Sequence, residues 1–200
     1  MADRDQTALL DTVQLRTLLE ELAEQLAGRG IEASIHIVGG AAMALGYYDE
    51  GERRLTQDVD ASMSPVAEIA EVASEMAVRH GLRDDWLNGA SQFFPPGGLP
   101  AGTVIIERGR ATVTIADPSF LLAMKLRAAR LGRDNDDIAV LLRRCDVRSV
   151  EEAQAVLDEW FDGEEVFKPI ARTIVEVALQ AYEVRSAVPP FTLSPMPERS

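Results

Sequence analysis

The chain has 200 residues, 46% hydrophobic and 26% charged, the size and balance of about one globular domain. A single cysteine, Cys145, excludes an internal disulfide, and two histidines (His36 and His80) exclude His-rich metal sites and zinc fingers. The formal net charge of −13 argues against bulk electrostatic attraction to nucleic acid.

The elements in chain order begin with an amphipathic helix over Asp5–Ala27, where Leu15, Leu18, Leu19, Leu22 and Leu26 recur at helical spacing before Gly28 and Gly30. Ser34–Val38 is a short β-branched strand that runs into Gly39-Gly40, and Ala41–Tyr47 is a short helix after those glycines. Leu55–Met63 is a second strand. Pro65–Arg79 is a helix with proline in its first turn and Gly81 at its end. Phe93–Gly102 is a loop by composition. Thr103–Glu107 and Ala111–Ile115 form two strands around a turn near Gly109.

Asp117-Pro118 then opens a helix, with Asp117 as N-cap and Pro118 at the first position. Further helices are expected over Asp134–Cys145, Ser149–Phe161 and Pro169–Val184, the third begun by the capping-box form Ser149-Val150-Glu151-Glu152. No internal repeat is present. The order divides the chain into an α/β part over 1–118, a helical part over 119–185 and a proline-rich tail over 186–200, expected to be poorly ordered. No apolar run reaches the ~20 residues of a membrane helix, and no secretory signal precedes the first helix, so a cytoplasmic protein is expected. Charge is uneven: residues 119–148 carry 7 basic and 4 acidic side chains in an otherwise acidic protein. That basic island suits an anionic ligand, although arginines on a solvated helix face give the same count.

Three features carry chemistry. In Asp58-Val59-Asp60, residues two apart on a strand share a face, so both carboxylates project together. Oxygen ligands at that spacing suit Mg²⁺. With 33 acidic residues, about five such triplets arise by chance, so context decides. The context is Gly39-Gly40, where a strand-to-helix turn lets backbone N–H groups approach phosphate oxygens, although a plain tight turn has the same composition. Arg53 and Arg54 lie between the two features, within reach of a phosphate.

The third feature is Lys125. On a helical wheel it falls between Leu121, Leu122, Ala128 and Ala129, with Ala123, Arg127 and Arg130 opposite. A core-facing lysine is costly unless it is paired or lines a site. In the next helix Asp134 points with the apolar face, Asp137 flanks it and Asp136 points away. Asp134 can cap that helix, hold the Lys125 ammonium, or do both.

The run HIVGGAAMALGYYDEGERRLTQDVDASM resembles the nucleotidyltransferase superfamily that includes DNA polymerase β: an apolar strand, a glycine pair, a short helix and an acidic-x-acidic strand. The later run DPSFLLAMKLRAARLGRDNDDIAVLL resembles the lysine and RD-x-x-D region of a narrower group, the AbiEii-type nucleotidyltransferases, toxins of abortive-infection and toxin–antitoxin pairs, and their relatives. The resemblance implies an α/β (α+β) nucleotidyltransferase fold, with a small mixed sheet flanked by helices and a helical C-terminal half. It implies transfer of a nucleoside monophosphate from an NTP to an RNA (tRNA included) or protein acceptor, and a cognate antitoxin as partner.

Carried over by residue, Gly39, Gly40 and Arg54 would bind the nucleotide and Asp58 and Asp60 would hold Mg²⁺. Lys125 would contact phosphate, and Asp134 would position that lysine or act on the acceptor. Polymerase-like members supply a third carboxylate from a later strand. Ala111–Ile115 has none, and Asp117 past its end and Glu107 on the preceding strand are the nearest candidates. Two alternatives stay open: transfer to a small molecule of the aminoglycoside type, which the acidic charge favours, and a degenerate nucleotide-binding module, which the missing carboxylate favours. The NTP, the acceptor and the oligomeric state are not written in the sequence.

Overall fold

The computed structural model describes residues 9–48, 55–89, 98, 101–161 and 167–187, with side chains described as far as 181. In chain order the elements are α1 (Thr12–Gly28), β1 (Ala33–Ile37), α2 (Gly39–Gly46), β2 (Val59–Ser64), α3 (Val66–His80) and β3 (Leu87–Gly89). They continue with β4 (Gly102–Arg108), β5 (Ala111–Ala116), α4 (Pro118–Ala128), α5 (Asn135–Arg144), α6 (Val150–Phe161) and α7 (Pro169–Ala187).

The architecture is the expected mixed α/β one. The five strands form one sheet in the order β3-β2-β1-β5-β4. β1 runs antiparallel to β2 and parallel to β5, β2 is parallel to β3, and β4–β5 is an antiparallel hairpin. The parallel β1–β5 pair requires a long crossover, which α2, β2, α3 and β3 supply.

Register divides the sheet into two unlike faces. Ile35 and Ile37 pair with Val113 and Ile115 on β5, and Ile37 pairs with Ala61 on β2. All five are buried, at 4% exposure or less. His36 pairs with Ser62 and Thr114, so the opposite face carries Ser34, His36, Asp60, Ser62, Thr112 and Thr114. α1 packs on the sheet through the fully buried Leu15, Leu19, Leu22 and Leu26, so its leucine stripe is the core face the sequence implies.

Several boundaries differ from expectation, each for a local reason. α1 begins at Thr12, because Asp11 caps it: the Asp11 carboxylate accepts the Gln14 N–H at 2.9 Å and the Gln14 side chain accepts the Asp11 N–H at 3.0 Å. Leu10 instead pairs with Thr56 through two backbone hydrogen bonds of 2.7 and 3.1 Å. The expected residues 5–8 of that helix, most of the Phe93–Gly102 loop and the tail beyond 187 lie outside the described residues. α2 starts on the two glycines rather than after them, and β2 starts at Val59, four residues later than expected. The short strand β3 has no counterpart in the sequence reading, for Leu87-Asn88-Gly89 has no alternating pattern and pairs only because Val59–Ala61 lies beside it.

The second half of the chain packs helix against helix, α4 against α5 and α6, and α5 against α7. Asp117 accepts from the Ser119 N–H at 2.8 Å and Pro118 opens α4, as the sequence predicts. α4 stops at Ala128 because Ala129 takes a left-handed conformation, φ 45°. It is also less one-sided than its wheel suggests. Ala123, placed opposite the apolar stripe, is fully buried, whereas Ala128 is exposed. Contacts with α6 as well as α5 cover α4 on more than one side.

Candidate functional site

At the C-terminal end of β1 the chain turns directly into α2. Gly39, the first residue of α2, has φ +65°, a conformation natural only to glycine. A Cβ there would lie 3.0 Å from Asp60 Oδ2, so the missing side chain lets the glycine turn and the carboxylate lie side by side. The preceding residue, Val38, offers no side-chain cap, which leaves the first N–H groups of α2 without a local side-chain acceptor. β2 brings Asp60 to this point, with the Val38 N–H donating to the Asp60 carbonyl at 2.9 Å.

Asp58 lies one residue before β2 rather than within it, so strand pleating alone does not set the carboxylates side by side. Thr56 helps to place it, its hydroxyl donating to the Asp58 carbonyl at 3.0 Å. Burial pushes the Asp58 carboxyl above its ordinary pKa, and the charges of Asp60 and Asp85 push it further, against smaller opposing effects of Arg133 and Arg83. Among the described residues, neither Asp58 nor Asp60 has an ion-pair or side-chain hydrogen-bond partner.

The other wall comes from α4 and the turn after it. The Lys125 side chain is 7% exposed, and its Nζ lies 2.9 Å from Asp134 Oδ1 and 2.7 Å from Asp137 Oδ2. Asp134 also accepts from the Arg130 backbone N–H and Nε at 3.0 Å each and from Nη2 at 3.2 Å. Burial pushes the Asp134 carboxyl upward, but Arg130 and then Lys125 outweigh it, and the carboxyl is held below the usual range. Asp134 stands at the N-cap position of α5 without capping it. Its side chain is spent on the two cations instead, which settles the choice between capping and holding Lys125.

These parts meet in one cleft of about 620 Å³ lined by Gly39, Gly40, Asp58, Asp60, Lys125, Arg130 and Arg133, with Leu9, Leu55 and Met124 as apolar neighbours. Five of the sequence-predicted residues therefore line one cavity, and Asp134 stands directly behind Lys125. Arg53 and Arg54 lie outside the described residues. The basic island does not form one surface. Lys125, Arg130 and Arg133 line the cleft, but Arg127 sits 4.6 Å over the Phe161 ring, Arg144 donates to the Tyr47 carbonyl at 3.0 Å and Arg148 pairs with Asp146.

Sequence reasoning underrated Asp137. It is 1% exposed and bonds Lys125 directly, a position the RD-x-x-D spacing and the lysine-facing side of α5 both signal. No third carboxylate reaches the cleft among the described residues. On the face that carries Asp60, β5 presents Thr112 and Thr114. Glu107 pairs with Thr112, which is opposite Ser34 near the start of β1, the far end of the sheet from Gly39. Asp117 is engaged in capping α4 and bonding the Ser119 hydroxyl at 2.8 Å.

The donor set fits one divalent cation. Two hard carboxylates, one with its pKa raised by burial and then by the charge of the other, and with no cation partner among the described residues, match an ion that completes its shell with water and phosphate. Among the described residues no group of three or more His, Cys, Asp or Glu side chains is placed to hold a metal, so these residues offer two ligands rather than a full cage.

No protein-family model matches the chain, and no curated protein matches it in sequence. Among solved structures, it is similar to the crystal structure of an antigenic nucleotidyltransferase-like protein from Paracoccidioides brasiliensis. The two are 17% identical, the match covers 87% of this chain and 95% of that one, and the TM-score is 0.48. No helix among the described residues is long and apolar enough to cross a membrane.

Proposed function

We propose that the protein is a Mg²⁺-dependent nucleotidyltransferase that moves a nucleoside monophosphate from an NTP to a macromolecular acceptor and releases pyrophosphate. One observation carries the proposal. Two carboxylates without an ion-pair partner among the described residues, Asp58 and Asp60, share a cleft with a glycine-started helix and a buried, doubly paired lysine. An anion-only site has no use for the carboxylates, and a cation-only site has no use for the lysine and Arg133. A metal–triphosphate complex uses both.

In this reading the N–H groups at Gly39 and Gly40 receive phosphate oxygens at the start of α2. Lys125 and Arg133 oppose the charge on the phosphates, and Lys125 is held in place by Asp134 and Asp137. Bound at Asp58 and Asp60, Mg²⁺ would supply charge neutralisation at the transferred phosphoryl group. Arg54 is placed with the nucleotide by the same proposal. The acceptor is an RNA, tRNA included, or a protein, as in toxin-type enzymes with an antitoxin partner, and the cytoplasm is the proposed compartment.

The test is transfer of label from each of four α-labelled NTPs to total cell extract with Mg²⁺, beside an Asp58→Asn/Asp60→Asn variant. Label on an RNA or protein band only with intact carboxylates supports the proposal, and the band names the acceptor class. Equal labelling by the variant sinks it.

A second reading has its own observation, the Thr112 and Thr114 side chains on the β5 face where polymerase-like enzymes carry a carboxylate. It makes the cleft a nucleotide-binding module without turnover. Calorimetric NTP binding with no pyrophosphate release selects that reading over the first.

A further inference from the structure

We infer that Tyr48 is a positioning residue for Lys125, acting through Asp137, an inference that rests on the nucleotidyl-transfer reading of the cleft. The two oxygens of Asp137 meet different groups. Oδ2 lies 2.7 Å from Lys125 Nζ, and Oδ1 accepts the Tyr48 hydroxyl at 2.7 Å. With the carboxylate 1% exposed, water has little access to replace either bond. The Tyr48 hydroxyl therefore helps to set how the carboxylate is rotated, and hence which oxygen faces the ammonium.

Chain connectivity gives this contact its consequence. Tyr48 stands two residues beyond Gly46, the last residue of α2, and the first residues of α2 are Gly39 and Gly40. One short helix thus holds the glycine turn at one end and the lysine cradle at the other. Ala41 to Leu45 bury it between them at 9% exposure or less, so it moves as a unit with the core. Through Tyr48, the ammonium is set relative to the glycine turn rather than to α4 alone. A triphosphate bridging the two features needs that relative placement.

Without the hydroxyl, the buried carboxylate loses the donor that Tyr48 gives Oδ1, and its orientation toward Lys125 is less constrained. The ammonium it holds is then less precisely set relative to the cleft. Ground-state binding of the nucleotide rests on several groups and changes little, whereas charge stabilisation at the reacting phosphoryl group depends on placement within a fraction of an ångström.

The experiment compares Tyr48→Phe with wild type in label transfer from the NTP that the wild type uses to cell extract. The expected result is a KM for NTP within about twofold of wild type and a kcat lowered about tenfold. In an Asp137→Asn background the same substitution lowers kcat by less than about twofold, because the residue it acts through is already altered. Tyr47→Phe is the control. It removes a comparable bond, from the Tyr47 hydroxyl to the Ala116 carbonyl at 2.6 Å, and lowers Tm while leaving kcat in place. Unchanged kcat in Tyr48→Phe, or a loss that multiplies with Asp137→Asn, overturns the inference while nucleotidyl transfer stands. A wild type that transfers no label from any NTP overturns both.

Discussion

Lys125 Nζ lies 2.9 Å from Asp134 Oδ1 in a pair whose side chains are 7% and 0% exposed. Breaking a buried pair from one side leaves an uncompensated charge, which costs more than the pair contributes as a unit. Asp134→Ala should therefore destabilise the fold by about 3 kcal/mol, since Lys125 loses one of its two carboxylate partners among the described residues and Arg130 loses its fixed acceptor. Urea denaturation with the midpoint followed by circular dichroism checks this. A loss below about 1 kcal/mol would mean that the ammonium reaches water through the cleft.

Asp58 presents the opposite case, a group held at a cost. Its carboxyl titrates above the ordinary value because of burial and then the neighbouring Asp60. A raised carboxyl pKa makes the folded state the stronger proton binder, so stability falls as pH rises from the unfolded toward the folded pKa. Asp58→Asn removes the charge and should raise Tm at neutral pH by about 1–2 °C, discounted for its partial exposure, while abolishing transfer. A lower Tm would show that the carboxylate has a stabilising partner. Mg²⁺ should raise the Tm of the wild type and not that of the variant, and a scan with and without the ion reads this directly.

His36 lies in the middle of the polar sheet face at 6% exposure, with Nδ1 2.8 Å from Thr114 Oγ1 and a buried Nε2 that has no hydrogen-bond partner among the described residues. Burial holds its pKa below the ordinary value. For a histidine with a depressed folded pKa, stability is full above the unfolded value of about 6.5 and is lost as pH falls toward the folded one. Stability measured from pH 7.5 down to 5 should decline, and His36→Leu should flatten that slope. An identical slope in the variant would assign the decline to other groups.

Gly39 is constrained by backbone and by neighbour together. Alanine there must hold φ +65° and bring a Cβ to 3.0 Å from Asp60 Oδ2. Gly39→Ala should cost about 1–2 kcal/mol from the left-handed conformation alone. It should also weaken Mg²⁺-dependent NTP binding at least tenfold by displacing the carboxylate. Gly81→Ala is the comparison: φ is again +65°, but nothing lies within 4 Å of the added Cβ. It should lose similar stability with NTP binding intact, as calorimetry on the two variants would show.

Local chemistry was legible along the chain wherever a rule acts within a few residues. The leucine stripe of α1, the Asp117-Pro118 start of α4 and the core-facing position of Lys125 follow from periodicity and capping, and the structure has all three. The short-range glycine turn before an acidic triplet was equally visible. What the sequence could not determine was partnership across the fold. Asp58 lies outside its strand, and only the run of β2 beside β1 brings it to the cleft with Asp60 and Gly39. Asp134 has the pattern of a cap and the contacts of a lysine partner, because Arg130 and Lys125 approach it from α4 and the turn that follows. Tyr48 and Asp137 are 89 residues apart, and no periodicity links them. Such contacts are made by how helices and strands pack, and packing depends on the whole chain at once.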